Sequence, residues 1–299
     1  MPLLGWIVVF TALGGIASAA FASAFLLLPE RTSTRLLPHL VSFATGALLG
    51  AALLALLPEA MESVGTAGAH GIGAALVLGL GIFFVIEKVV LWRHAHSHEQ
   101  GQPADAAQDH AEARGHTHDH ARAERHEGHA HEHGHAHEHG HAHEHGHSHR
   151  DEAAGVLVLI GDSVHNVLDG ILISAAFLQN WPLGLLTTFA VAAHEIPHRL
   201  GDFVLLVHSG MSQRRALLLN MATGLAAVLG GIAAYFGLRR VMGLLPYALA
   251  VAAAGFLYIA VAGLIPALHR RADPRTSLAQ VTLIGLGVGV IAWAESFVH

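Results

Sequence analysis

The 299-residue sequence predicts an all-α polytopic membrane protein, an eight-transmembrane-helix bundle with a disordered His-rich loop between helices 3 and 4. Three observations lead there. Apolar residues make up 53% of the chain and charged residues 13%, against about 25% charged in a soluble domain. The apolar residues fall in runs of about 20, the length that crosses a bilayer as a helix. Nearly all the polar sequence is gathered in one block, residues 94–150. Such spans must be helical, because an open strand leaves its backbone groups unpaired in lipid.

The runs lie near residues 3–28, 36–58, 70–93, 153–178, 183–208, 215–237, 245–267 and 276–297. Residues 1–93 thus hold helices 1–3, residues 94–150 the loop, and residues 151–299 helices 4–8 with the candidate site. The opening MPLLGWIVVF has no basic leader, and its apolar run lasts to Leu28, so a retained span is expected rather than a cleaved signal. GALLG at Gly46–Gly50 and GLGVG at Gly285–Gly289 space small residues so that helices can approach closely. Arg31, Arg35, the Arg93–Arg150 region, Arg214, Arg215, Arg270, Arg271 and Arg275 fall in odd-numbered loops, whereas even-numbered loops hold Arg239 and Arg240. Positive charge stays inside, which makes the odd loops cytoplasmic and leaves both termini outside. Fifteen arginines against one lysine, with abundant Ala, Gly and Leu, suggest a GC-rich bacterial genome and hence a cytoplasmic (inner) membrane.

The polar block holds 19 of the 27 histidines. Three copies of GHAHEH place His129, His131, His133, His135, His137, His139, His141, His143 and His145 on alternating positions. Repetition and low hydrophobicity predict disorder. Neutral imidazoles at this density bind zinc, nickel or copper, as a buffer, a sensor or a passive sponge. The chain lacks cysteine, which excludes disulfides, iron–sulfur clusters and thiolate zinc sites. No Gly-Lys-Ser/Thr phosphate cradle occurs, so neither nucleotide nor nucleic acid is expected as a partner; the expected partners are a divalent metal ion and the lipid bilayer.

Two of the apolar segments carry ionisable residues, which are costly at membrane depth and point to a functional site. In GDSVHNVLDG, Asp162, His165, Asn166 and Asp169 are spaced i, i+3, i+4 and i+7, one stripe of a helix. In AVAAHEIPHRLGDF, His194, Glu195, His198 and Asp202 repeat the design at i, i+1, i+4 and i+8. Facing stripes would offer carboxylate, imidazole and amide oxygen to a borderline divalent metal. Pro197 removes one backbone hydrogen bond and frees the Ala193 carbonyl, which predicts a broken helix beside the ion. HEIPH also fits the metalloprotease pattern H-E-x-x-H, so an intramembrane zinc protease is a second reading; LDG at Leu168–Gly170 resembles the downstream ligand motif of such enzymes but here precedes HEIPH and lacks the asparagine–proline context. A membrane metal sensor or reservoir is a third.

HNVLDG followed by HEIPHRLGDF resembles the paired signatures of the ZIP (Zrt/Irt-like) metal transporters, in the subgroup with a His-rich third loop. The resemblance extends to Glu87–Lys88 before WRHAHSH, to GALLGAALLALLPEA and to FLYIAVAGLIP. It implies uptake of Zn²⁺, or of Fe²⁺, Mn²⁺, Cd²⁺ or Ni²⁺, toward the cytosol, and no enzymatic activity. It further implies that His165, Asp169, His194 and His198 line a first metal site, that Asn166 and Glu195 line or bridge to a second, and that Asp162 and Asp202 are secondary. A homodimer stays open. Arg199 departs from the family pattern, which has an acidic residue there; it is expected either to pair with Asp202 and occupy part of a second metal's position, or to reach outward to the membrane surface. Ala51, Ala55 and Ala267 also stand where polar ligands are common. Cation diffusion facilitators combine similar features but are built on six spans.

Overall fold

The structure, a computed structural model, describes residues 2–25, 30–99, 148–269 and 274–297. Most of the His-rich block, residues 100–147, lies outside the described residues, as do Arg270 and Arg271. Among the described residues the fold is all helical.

The first rod joins α1 (Leu3–Ala12), a π-helical turn (Leu13–Ala17) and α2 (Ser18–Phe25). Next, α3 (Glu30–Gly50) runs through a π-helical stretch (Ala51–Leu56) into α4 (Leu57–Glu99). Where the hydropathy pattern predicts a loop between residues 58 and 70, the chain stays helical and breaks at a single residue, Gly65 (φ 63, ψ -172). Glycine carries that left-handed φ without a Cβ clash, so one residue does the work of a loop. Helices also extend into the predicted loop, α4 to Glu99 and α5 (Ser148–Gln179) from Ser148. Asn180 separates α5 from α6 (Trp181–His208) and caps α6, its side chain accepting from the Leu183 amide at 2.8 Å. The helix passes through Pro197 as one rod, so the predicted break is absent. Then follow α7 (Gln213–Leu238), a short 3-10 turn, α8 (Leu245–Tyr258), a third π-helical stretch (Ile259–Leu264), α9 (Ile265–His269) and α10 (Pro274–Glu295).

By length and composition, five stretches of the described residues can cross a membrane: Leu3–Ala22, Arg35–Val89, Gln213–Leu238, Met242–His269 and Thr276–Glu295. In α5 and α6 the ionisable residues dilute the hydropathy that the other rods show. Outward-facing side chains are apolar, with Leu229 66% and Leu278 70% exposed, while polar groups such as Asn166, Glu195 and Arg199 are buried. This inside-out distribution is what a hydrocarbon solvent selects.

Glycines set which rods touch most closely. A Cβ on Gly170 of α5 would stand 1.8 Å from the Ala227 carbonyl oxygen of α7, and one on Gly15 2.7 Å from that of Gly224. The two small-residue motifs meet each other: a Cβ on Gly46 would lie 2.0 Å from the Ile284 oxygen, and one on Gly287 2.4 Å from that of Phe43. Between α4 and α8, a Cβ on Gly79 would stand 2.7 Å from the Ala254 Cβ and 3.2 Å from the Val251 Cα, while Gly255 makes room for the Phe83 ring. The backbone contacts therefore fall into separate sets, the first rod with α5 and α7, α3 with α10, and α4 with α8. Gly46→Ala should cost roughly 1–3 kcal/mol of stability through overpacking. Gly285→Ala, with nothing within 4 Å of its Cβ, should melt at or slightly above the wild-type temperature. Thermal melting of the detergent-solubilised variants by tryptophan fluorescence checks both.

Candidate metal centre

The stripes of α5 and α6 face each other. His165 and Asp169 from α5 and His194 and Glu195 from α6 each turn one ligand atom to a common point, all within 4.8 Å of one another. The two Nε2 atoms of His165 and His194 are 3.3 Å apart. Asp169 Oδ2 is 3.6 Å from each of them, and Glu195 Oε1 is 3.5 Å from His165 Nε2.

These atoms have no other occupation. Both oxygens of Asp169 and Oε1 of Glu195 are buried and accept no hydrogen bond, an arrangement that native structures avoid unless another partner is intended. His194 Nδ1 lies 3.1 Å from the Ala190 carbonyl oxygen. A carbonyl only accepts, so Nδ1 carries the proton and the Nε2 lone pair points into the cluster. Two imidazole nitrogens and two carboxylates form a donor set suited to zinc and its neighbours. Phe256 packs edge-on beside His194, ring centroids 6.2 Å apart.

Arg199 is wholly buried, which excludes the outward-reaching alternative. It does not pair with Asp202 either. Its Nε donates to Glu195 Oε2 at 2.7 Å, Nη1 to Asp162 Oδ2 at 2.9 Å, and Nη2 to Asn166 Oδ1 at 2.5 Å. Asp202 instead meets His198 Nδ1 at 2.9 Å, an i, i+4 pair on the rim. The cause is depth: Glu195 and Asp162 would otherwise be uncompensated buried charges, and Arg199 is the cation within reach. The Asn166 oxygen, a sequence-predicted ligand, is therefore held by the guanidinium, while its amide nitrogen donates to the Asp162 carbonyl at 2.7 Å.

His198 does not join the first group. With Asp162 and Asp202 it forms a second possible metal-holding group, Asp162 Oδ1 lying 3.8 Å from His198 Nδ1. The ring of His198 stacks on that of His165 with centroids 5.2 Å apart. A cavity of about 450 Å³ reaches both groups, lined by Glu87, Asp162, His165, His198, Asp202 and Tyr258. At its edge the Tyr258 hydroxyl donates to Glu87 and ties α8 to α4. Residues His129 to His145 of the repeat fall outside the described residues.

The profile of the family described as ZIP Zinc transporter matches residues 3–295. Over 120 residues the chain is 44% identical to Zinc transporter ZIP4 of Homo sapiens, an alignment covering 40% of this chain and 18% of that protein. The chain thus spans less than a fifth of the length of the ZIP4 relatives it matches. Longer alignments give 33% identity over 330 residues to Zinc transporter SLC39A7 of Rattus norvegicus, 92% of this chain and 68% of the relative. Zinc transporter ZIP13 of Homo sapiens is 32% identical over 284 residues, covering 88% and 71%.

Two participants escaped the sequence reading, Asn220 and Thr223 on α7. Asn220 offers Arg199 Nη1 its carbonyl oxygen at 2.6 Å and its side-chain oxygen at 2.9 Å, and returns a hydrogen bond to the Arg199 carbonyl at 2.9 Å. Thr223 accepts from the same Nη1. The available signal was a lone asparagine inside an apolar span. Asn220→Leu should destabilise the protein by roughly 1–3 kcal/mol, the cost of stranding buried partners. Guanidinium or thermal unfolding should show that loss without a change in helix content by circular dichroism before the transition.

Proposed function

Because the chain belongs to the ZIP zinc transporter family, we propose that it carries divalent metal ions, zinc foremost, across a membrane through the centre of His165, Asp169, His194 and Glu195. The observation that carries this reading is the convergence of two imidazole nitrogens with two buried carboxylate oxygens, Asp169 Oδ2 and Glu195 Oε1, that accept no hydrogen bond. A cation is the partner such a set lacks. Neutral imidazole and carboxylate bind tightly enough to replace hydration, and a small ligand set releases what it binds.

The cavity supplies the path. Its lining residues sit around the middle of α5, in the C-terminal halves of α4 and α6, and where α8 passes into its π-helical continuation; α4 and α6 run from there to the ends that adjoin residues 100–147 and the 209–212 turn. On the arginine distribution these ends are cytoplasmic, in a bacterial inner membrane with both termini outside and eight spans in all. The metal then leaves the centre past His198, Asp162 and Asp202 toward the His-rich block, which acts as a cytosolic metal buffer. The four ligands offered by one chain are enough to hold an ion without a second copy. Access alternates as the α5–α6–α7 body, held together by Arg199 and Gly170, moves against the α3–α10 and α4–α8 pairs.

The protease pattern is not realised. In H-E-x-x-H both histidines hold one ion and the glutamate is free to act as base. Here His194 and His198 belong to different groups, and Glu195 has one oxygen fastened to Arg199.

Uptake of ⁶⁵Zn into proteoliposomes tests the proposal. His165→Ala and His194→Ala should each reduce saturable flux tenfold or more, on the scale of lost metal ligation. Deleting residues 100–147 should leave flux within about twofold while abolishing most equilibrium zinc binding, since the transport ligands lie elsewhere. Binding without flux in the wild type would reject the transporter reading in favour of a sensor or reservoir.

A further inference from the structure

Arg199 sits in surroundings that exceed what a guanidinium can use. Six oxygen atoms lie within hydrogen-bond reach of it: Glu195 Oε2, Asp162 Oδ2, Asn166 Oδ1, Thr223 Oγ1, and both the carbonyl and side-chain oxygens of Asn220. Four of these crowd Nη1, which has two hydrogens to offer. Oxygens gathered around a point in excess of the available N–H groups make a coordination shell more than a hydrogen-bond set. Two carboxylates, two carbonyl-type amide oxygens, a hydroxyl and a backbone carbonyl are, moreover, the donors of a hard divalent cation. Glu195 joins this cage to the metal centre, with Oε1 in the His165–Asp169–His194 group and Oε2 on Arg199.

We infer that Arg199 is the resident cation of an oxygen-lined site next to the metal centre, and that its guanidinium holds the centre to one metal ion by filling the place of a second. The inference rests on the metal-centre reading above. Arg199 is a positioning residue: it turns Glu195 Oε2 away from the first ion and leaves Oε1 for it. Excising the guanidinium while keeping the cage leaves Glu195, Asp162, Asn166 and Asn220 around a gap. A hard divalent ion such as Mn²⁺ would fill it, bridged to the first ion by the Glu195 carboxylate.

Electron paramagnetic resonance of the purified full-length chain with Mn²⁺ tests this, because a carboxylate-bridged Mn²⁺ pair is spin-coupled and isolated ions are not. The wild type should show only isolated Mn²⁺, including a component lost in His165→Ala. Arg199→Ser should convert that component into a coupled pair and add one tightly held Mn²⁺ per chain. Arg199→Lys, which keeps a cation in the cage, should stay uncoupled. A coupled pair in the wild type overturns the inference whether or not the serine variant folds, and so does an uncoupled ion in a folded Arg199→Ser. If no component in the wild type depends on His165, the metal-centre reading fails as well, a result distinct from either of these.

Discussion

A buried positive charge governs the interior of this molecule. Arg199 has no exposed surface, and Asp162 and Glu195 beside it have almost none. In hydrocarbon none of the three could exist as an isolated ion without a large penalty, and breaking such a set by removing one member costs several kcal/mol. The ion pairs therefore oblige α5 and α6 to meet at one register, and the hydrogen bonds to Asn220 oblige α7 to join them. The same pairing consumes Glu195 Oε2 and leaves Oε1 with no partner beside His165. Structural necessity on one side of a glutamate leaves an unpaired, buried oxygen on the other.

Tight backbone packing makes that register rigid. Gly170, Gly230 and Gly231 let α5 and α7 approach until main-chain atoms are in contact, so sliding one past the other would drive Cβ atoms into carbonyls elsewhere along the pair. Contacts of this kind are how helices associate in lipid, where burying apolar side chains gains little. The closest approaches stay within sets of helices.

Much of this was legible in the sequence because membrane helices obey strong rules. The apolar runs located the rods, and the 3.6-residue spacing of Asp162, His165, Asn166 and Asp169 placed them on one face. The two glycine motifs at residues 46–50 and 285–289 do pack against each other through Gly46 and Gly287, though Gly285 and Gly289 have nothing near them. Where reading failed, the deciding contact came from a distant segment or a single dihedral. Arg199 has acidic residues at i−4 and i+3, and spacing alone cannot say which it takes; Asp162, from another helix, settles it in favour of Glu195. Asn220 and Thr223 lie in a span whose pattern reads as wholly structural. The turn at Gly65 hides inside what hydropathy presents as a polar gap, and a proline flanked by two histidines need not break its helix.

The fixed charge on Arg199 also has a consequence for energetics under voltage. A carrier whose binding body shifts relative to the bilayer moves its own charges through the membrane potential, at about 2.3 kcal/mol per elementary charge per 100 mV for a full crossing. Asp162, Asp169 and Glu195 would make an unloaded site strongly anionic, and its passage strongly dependent on potential. A covalently attached cation cancels one of those charges in every state, loaded or empty. In the proposed carrier, the work of returning the empty site would thereby be reduced without any ion having to accompany it.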